Sequence, residues 1–241
     1  GVCYFLRERD SAGLCQFTNI NGNSVTTETR SLSEFPVVVR YNSAVDIIRK
    51  VRAKTSQFLK DIVSPISPFA IPTKVTGKEN QSVECSIKLF TSKGTGYIAK
   101  QEILNNIDYL DKYKVMVSQI GAEHAGEPGR DGKFRVLTSS MRVLLPNEVC
   151  TNSYIVIGKY NDPTVCENLL GYIKTTFVRF LVLQAVSSIH ISRTSFTFVP
   201  MQDFSKPWTD AELYAKYGLS DEEIAFIESM IKPMDLTGGE E

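Results

Sequence analysis

Apolar residues recur at helical spacing in two stretches of the chain. Ala44, Ile47, Ile48, Val51, Phe58, Leu59 and Ile62 share one face of a helix predicted from Ser43 to about Ser64, with Arg49, Lys50, Lys54 and Lys60 on the other side. Ser43-Ala44-Val45-Asp46 has the form of a capping box at its start. The stronger pattern, Val165, Leu169, Leu170, Ile173, Phe177, Phe180 and Leu181, predicts a helix that opens at Pro163 and runs to about Val186. Proline suits the first helical turn, where its missing N–H would be unpaired anyway. Thr209-Asp210-Ala211-Glu212 and Ser220-Asp221-Glu222-Glu223 are two further capping boxes separated by Gly218, so the C-terminal part reads as two short helices.

Between these lie short β-rich runs. Strands are expected at 2–6, 15–20, Phe35–Arg40, 83–91, 97–99, 114–119, 133–138, 141–145, 153–158 and Phe196–Pro200, with a short helix around 101–110. Asn21-Gly22 favours a tight type I′ hairpin turn, and Lys93-Gly94-Thr95-Gly96 a second turn. The proline-rich stretch 64–81 and the glycine-rich stretch 121–132 read as long loops. No internal repeat and no regular β-α-β alternation is present. The predicted class is α+β: mixed or antiparallel short strands with two long helices and a helical C-terminal tail.

Composition narrows the class of protein. A hydrophobic content of 42% with 22% charged residues in 241 positions is that of a globular chain with one main core, which excludes collagen-like, coiled-coil and disordered classes. The longest apolar stretch, Phe177 to Val186, is about half of what a bilayer requires and carries Arg179 and Gln184, so no membrane partner is expected. Val2-Cys3-Tyr4-Phe5-Leu6 reads as a strand already under way, which leads us to expect a piece of a longer protein. Five scattered cysteines without a Cys-x-x-Cys pair, and two distant histidines, His124 and His190, point to reduced thiols in a cytoplasmic protein and imply no metal. The zero net charge hides an asymmetry. Residues 201–241 hold ten acids against three lysines, a net −7, while the first 200 residues hold 17 acids and 24 bases, a net +7 that favours a polyanionic partner.

Catalytic motifs are missing: there is no phosphate-binding Gly-x-x-x-x-Gly-Lys loop, nucleophile elbow, His-Glu-x-x-His or dinucleotide glycine motif. Lys93-Gly94-Thr95-Gly96 lies between strands rather than before a helix, which reads as a hairpin. Glu84 and Lys88 would share a strand face, but no separately placed Asp completes a metal-dependent nuclease site. Three surfaces remain as candidates for DNA. The connector Ser187–Ser195 carries His190, Ser192 and Arg193 among hydroxyls, a composition suited to phosphates and base edges. The loop 121–132 carries His124 and Arg130, with Lys133 beside it. The third is the basic helix face of Arg49, Lys50 and Lys54, for which a solvated charged face is the simpler reading.

Several segments together resemble the C-terminal part of adenine-specific (amino-N6) DNA methyltransferases of bacterial restriction–modification systems. They are Gly1–Leu6, Asp111-Lys112-Tyr113-Lys114-Val115, Tyr154–Gly158, Tyr172–Leu181 and Phe198–Phe204, closed by Trp208-Thr209-Asp210, Leu213-Tyr214, Tyr217-Gly218-Leu219 and Glu222–Glu228. The likeness spans most of the chain, is specific as a set and is weak in any one segment. In that family an N-terminal domain binds S-adenosylmethionine and methylates an adenine rotated out of the duplex, while a C-terminal domain reads the DNA site. The Asn/Asp-Pro-Pro-Tyr/Phe motif and the glycine-rich cofactor motif are absent here, so the resemblance implies a fragment inactive alone, with no catalytic residues and no cofactor of its own. By resemblance, residues 1–30 are trailing strands of the methyltransferase domain, 31–200 the target-recognition domain and 201–241 an acidic helical tail. The implied partners are double-stranded DNA, the catalytic domain of the same, longer parent chain and a restriction nuclease domain or subunit. The alternative is a protein-interaction or scaffolding domain of a restriction–modification complex.

Overall fold

The computed structural model describes residues 4–10, 13–21, 24–120, 128–138, 140–186 and 190–234. Along the chain, β1 (Cys15–Asn21) and β2 (Ser24–Arg30) precede α1 (Asn42–Lys54), β3 (Ile87–Thr91), β4 (Gly94–Ile98), β5 (Tyr113–Ser118), β6 (Arg142–Leu144), β7 (Glu148–Cys150) and β8 (Tyr154–Tyr160). The helices α2 (Pro163–Lys174), α3 (Thr176–Ala185), α4 (Asp210–Tyr217) and α5 (Asp221–Met230) follow. The fold is α+β with short strands in three small sheets, β1-β2, β4-β3-β7 and β6-β5-β8.

The antiparallel sheet β6-β5-β8 is the central layer, because the period-two alternation of its strands is apolar on both faces. Val115, Val117, Ile155 and Ile157 face the larger core, which the helices complete. Met116, Leu144 and Val156 face a smaller core shared with Leu89, Phe90 and Val149 of the β4-β3-β7 sheet. The segment 76–78 lies along β4, with Lys78 and Tyr97 exchanging backbone hydrogen bonds of 2.8 Å in both directions. That close approach requires Gly96, since a Cβ there would collide with the Thr76 carbonyl oxygen. Lys93-Gly94-Thr95-Gly96 is thus a hairpin and packing device, with Gly94 already paired to Thr91.

Several sequence expectations are corrected. The helix expected to reach Ser64 stops at Lys54, and its first residue is Asn42, so the Ser43–Asp46 box does not form. Beyond it the backbone has sheet partners to satisfy: Phe58 bridges Pro200, Leu59 N donates to Val199 O at 2.8 Å, and Val63 bridges Ile157. The helix expected over 163–186 is broken at Thr175, which has a ψ of 150° and whose hydroxyl accepts from Val178 N and donates to Tyr172 O. Asp210 completes the new helix start by accepting from Thr176 N and Phe177 N at 3.0 and 2.8 Å. Of the strand expected at 2–6, positions 2 and 3 lie outside the described residues and 4–6 are irregular and exposed. Phe35–Arg40, containing the non-donating Pro36, is irregular bent backbone rather than a strand, although Phe35 and Val39 are buried. The run 133–138 makes only an isolated bridge from Phe134 to Ile231. The strand expected over Phe196–Pro200 does not form: Phe196 ends a 3₁₀ turn that begins at Arg193, and only Pro200 makes an isolated bridge, to Phe58. The helix expected at 101–110 is two 3₁₀ turns, Lys100–Glu102 and Ile107–Tyr109.

β1 and β2 form the hairpin expected from Asn21-Gly22, but Asn21 is still paired, opposite Ser24, rather than part of the turn; Gly22 and Asn23 lie outside the described residues. Asn42 fastens this hairpin to α1, its Nδ2 donating to Phe17 O and Thr26 O at 2.9 and 3.1 Å. Both C-terminal capping boxes form, and Gly218 takes the left-handed conformation between them. Thr209→Ala removes the hydroxyl that accepts from Glu212 N, and is expected to lower stability by about 1 kcal/mol in urea unfolding. The helices they start are not a solvated appendage: Leu213, Tyr214, Tyr217 and Ile227 are buried in the same core as α3. Arg179, 1% exposed, locks the two regions together by donating Nε to Lys174 O at 3.0 Å and Nη1 to Lys232 O at 2.5 Å. Burial lowers its pKa to about 10. Among the described residues no helix is long and apolar enough to cross a membrane.

Candidate nucleic-acid interface

The polar connector and the glycine loop leave the central sheet at one place. β5 is prolonged by Gln119, whose N donates to Ser153 O at 2.9 Å and whose Nε2 donates to Tyr154 O at 3.1 Å. Ile191 N donates to Gln119 O at 2.7 Å, and Ile120 forms an antiparallel bridge with His190. His190 is exposed, and so is Ile120. The loop 121–132 departs from Ile120 and the described part of the connector starts at His190, so two segments about 70 positions apart in sequence share a root.

From that root the connector crosses toward the outer edge of β8. Ser192 and Thr194 share a hydrogen bond of 2.9 Å between hydroxyls, and Ser192 N donates to Ser195 Oγ at 3.1 Å, which winds the Arg193–Phe196 turn. Arg193 is exposed, yet its Nε donates to Val63 O at 2.8 Å. Val63 and Ser64 are fixed on β8, where Ser64 N donates to Val156 O at 2.8 Å and Val156 N donates to Ser64 Oγ at 3.0 Å. Nothing in the local sequence around Val63 signalled this contact, because its apolar spacing continued the pattern of α1.

The glycine loop divides its two basic residues. His124 lies outside the described residues. Gly129 N donates to Lys133 O at 2.8 Å and Lys133 N to Asp131 Oδ1 at 3.1 Å, closing a tight turn that leaves Arg130 exposed. The backbone N–H of Lys133 holds the Asp131 carboxyl below its usual range. Lys133 Nζ turns the other way and donates to Glu228 O at 3.0 Å, near the negative end of α5. Arg130 therefore faces solvent, whereas Lys133 belongs to the packing of α5.

The basic helix face is largely compensated within the chain. Arg49 grips Glu34 with Nε and Nη2 at 2.7 and 2.8 Å and reaches Asp46 with Nη1 at 2.9 Å. This fork keeps the Glu34 carboxyl below the usual carboxylate range. Lys50 pairs with Glu223 at 2.6 Å and with Gly218 O at 3.1 Å. Lys54 is exposed and forms no ion pair among the described residues. Elsewhere, Lys88 pairs with Glu148 at 3.4 Å and Glu84 lies outside β3, so the two do not form a paired strand face.

Among the described residues no group of three or more His, Cys, Asp or Glu side chains is placed to hold a metal ion. No protein-family model matches this chain, and no curated protein matches it in sequence.

Proposed function

We propose that this chain is the DNA target-recognition part of an adenine-N6 DNA methyltransferase of a restriction–modification system, reading the duplex for a catalytic domain that lies outside this chain. The observation that carries the reading is the Ile120–His190 bridge, which brings the polar connector and the glycine loop to one end of the central sheet. Exposed Arg193 and Arg130 supply cationic donors on the two segments, on a body whose first 200 residues are net basic. On this reading S-adenosylmethionine and the methylation chemistry belong to the catalytic domain, and a restriction nuclease domain or subunit is a further partner.

The test is fluorescence anisotropy of the chain on a 20-base-pair duplex across a salt series. Affinity is expected to fall with salt, and Arg130→Ala to reduce the slope of log affinity against log salt by about 0.9 for each phosphate that Arg130 neutralises, at unchanged melting temperature. Lys133→Ala should instead lower the melting temperature, because Lys133 holds α5. Absence of duplex binding at low salt overturns the proposal. A second reading, a protein-interaction domain of such a complex, is favoured by Tyr4, Phe5 and Leu6, which are 86, 87 and 92% exposed. It gains if the chain captures the catalytic domain but no DNA.

A further inference from the structure

Two exposed arginines of this chain have opposite arrangements of their donors. Arg49 closes its planar fork on Glu34, so its donors are occupied within the molecule. Among the described residues Arg193 uses only Nε, on the carbonyl of Val63, and no carboxylate pairs with it. Both ends of that arrangement are fixed by the central sheet. Val63 is bridged to Ile157 and followed by Ser64, which exchanges two hydrogen bonds with Val156. On the other side, Ile191 N is bonded to Gln119 O, and Ser195 Oγ holds the backbone N–H of Ser192.

An arginine tied through Nε has given up much of its rotamer freedom on folding, so little remains to be lost when a ligand binds. Its two Nη groups still carry four N–H donors in one plane, spaced to meet two acceptors side by side. We infer that Arg193 is a preset end-on fork that takes a pair of neighbouring acceptors on duplex DNA, either the O6/N7 edge of a guanine or two oxygens of one backbone phosphate. This rests on the DNA-reading proposal and deepens it. Lysine cannot substitute, because its ammonium neither reaches Val63 O in the same geometry nor presents two parallel donors.

The experiment uses the full chain as wild type, Arg193→Lys and Arg193→Ala. Each selects duplexes from a random 20-base-pair pool, and affinity for the recovered duplex is then measured across a salt series, well below each variant's melting temperature. If a guanine edge is the ligand, Arg193→Ala loses preference for guanine at one position by about tenfold to a hundredfold while the other positions keep theirs, and Arg193→Lys, which cannot keep the tie to Val63 O, recovers only part of it. If a phosphate is the ligand, Arg193→Lys weakens all sequences equally by several-fold, and Arg193→Ala lowers the salt slope by about 0.9. Either result supports the fork and identifies its source. Retained affinity, preference and slope in both variants overturn it while leaving the DNA-reading proposal standing. A lower melting temperature with unaltered preference and slope shows a merely structural arginine and also overturns it. Failure of the wild type to bind any duplex removes the DNA-reading proposal itself, and this inference with it.

Discussion

Phe177→Ala is expected to lower the stability of the chain by about 3–5 kcal/mol, a large part of what a typical native domain has. Phe177 is fully buried in the second position of α3. Its ring stacks on Tyr217 with centroids 5.4 Å apart and meets Tyr214 edge-on at 6.0 Å. Truncation therefore opens a cavity and also strips α4 of its aromatic packing against α3, beyond the area that Phe177 itself buries. The check is the urea midpoint, with melting temperature expected to fall by roughly 2–4 °C per kcal/mol for a chain of this size. Val83→Ala, at a fully exposed position, is the control that should change nothing. An unchanged midpoint for Phe177→Ala would show that α3 and α4 do not clasp each other in solution.

That clasp shows which parts of the fold a sequence exposes. The two C-terminal helices are legible because a Ser/Thr-x-x-Glu box satisfies its N–H groups within four residues, so the information is local. The break at Thr175 is not, because the carboxylate that completes the start of α3 comes from Asp210, 34 positions beyond Thr176. The same distance effect ends α1 early. Phe58, Leu59 and Ile62 keep helical spacing, but Val199, Pro200 and Ile157 offer their backbones to that segment instead. β2 escapes notice for the opposite reason. Its outward Thr27 and Thr29 carry no apolar alternation, and only the pairing with β1 makes it a strand.

The candidate interface divides in the same way. Hydroxyls and arginine in one connector are visible as composition, and the structure places His190, Ser192 and Arg193 together at a sheet end. Whether a positive charge is available depends on its partners, which the sequence conceals. Glu34 closes on Arg49 from 15 positions away and Glu223 on Lys50 from 173, and the carbonyl of Glu228 draws Lys133 out of the loop. Lys114 is the converse case, a lysine at the start of an expected strand that is fully buried.

Lys114→Met should differ in stability from the wild type by an amount that changes by about 3 kcal/mol between pH 7 and pH 10.5, the size set by a displacement of about 2.5 pKa units at 1.36 kcal/mol per unit. Lys114 lies on β5 and its ammonium donates to Lys112 O at 3.0 Å and Leu145 O at 3.2 Å, with no carboxylate hydrogen-bonded to it among the described residues. Burial lowers its pKa from 10.5 to about 8. Below pH 8 both folded and unfolded chains bind this proton, and the folded chain bears the full cost of a buried charge. Between pH 8 and 10.5 the folded chain has released the proton while the unfolded chain keeps it, so this site makes folding more favourable as pH rises. Burial also pushes the Cys150 and Tyr172 protons upward, and those groups act in the opposite direction, since the unfolded chain loses their protons first as the solution becomes alkaline. Lys114 opposes the Cys150 shift, so its removal raises that proton further; both protons therefore stay on the folded chain across this range in either protein, and the two contributions cancel in the difference. Urea unfolding of the pair at pH 7, 8, 9 and 10 reads it directly: the Met variant loses ground to the wild type steadily above pH 8, and a difference that stays flat across this range would mean that Lys114 keeps its charge in the folded strand.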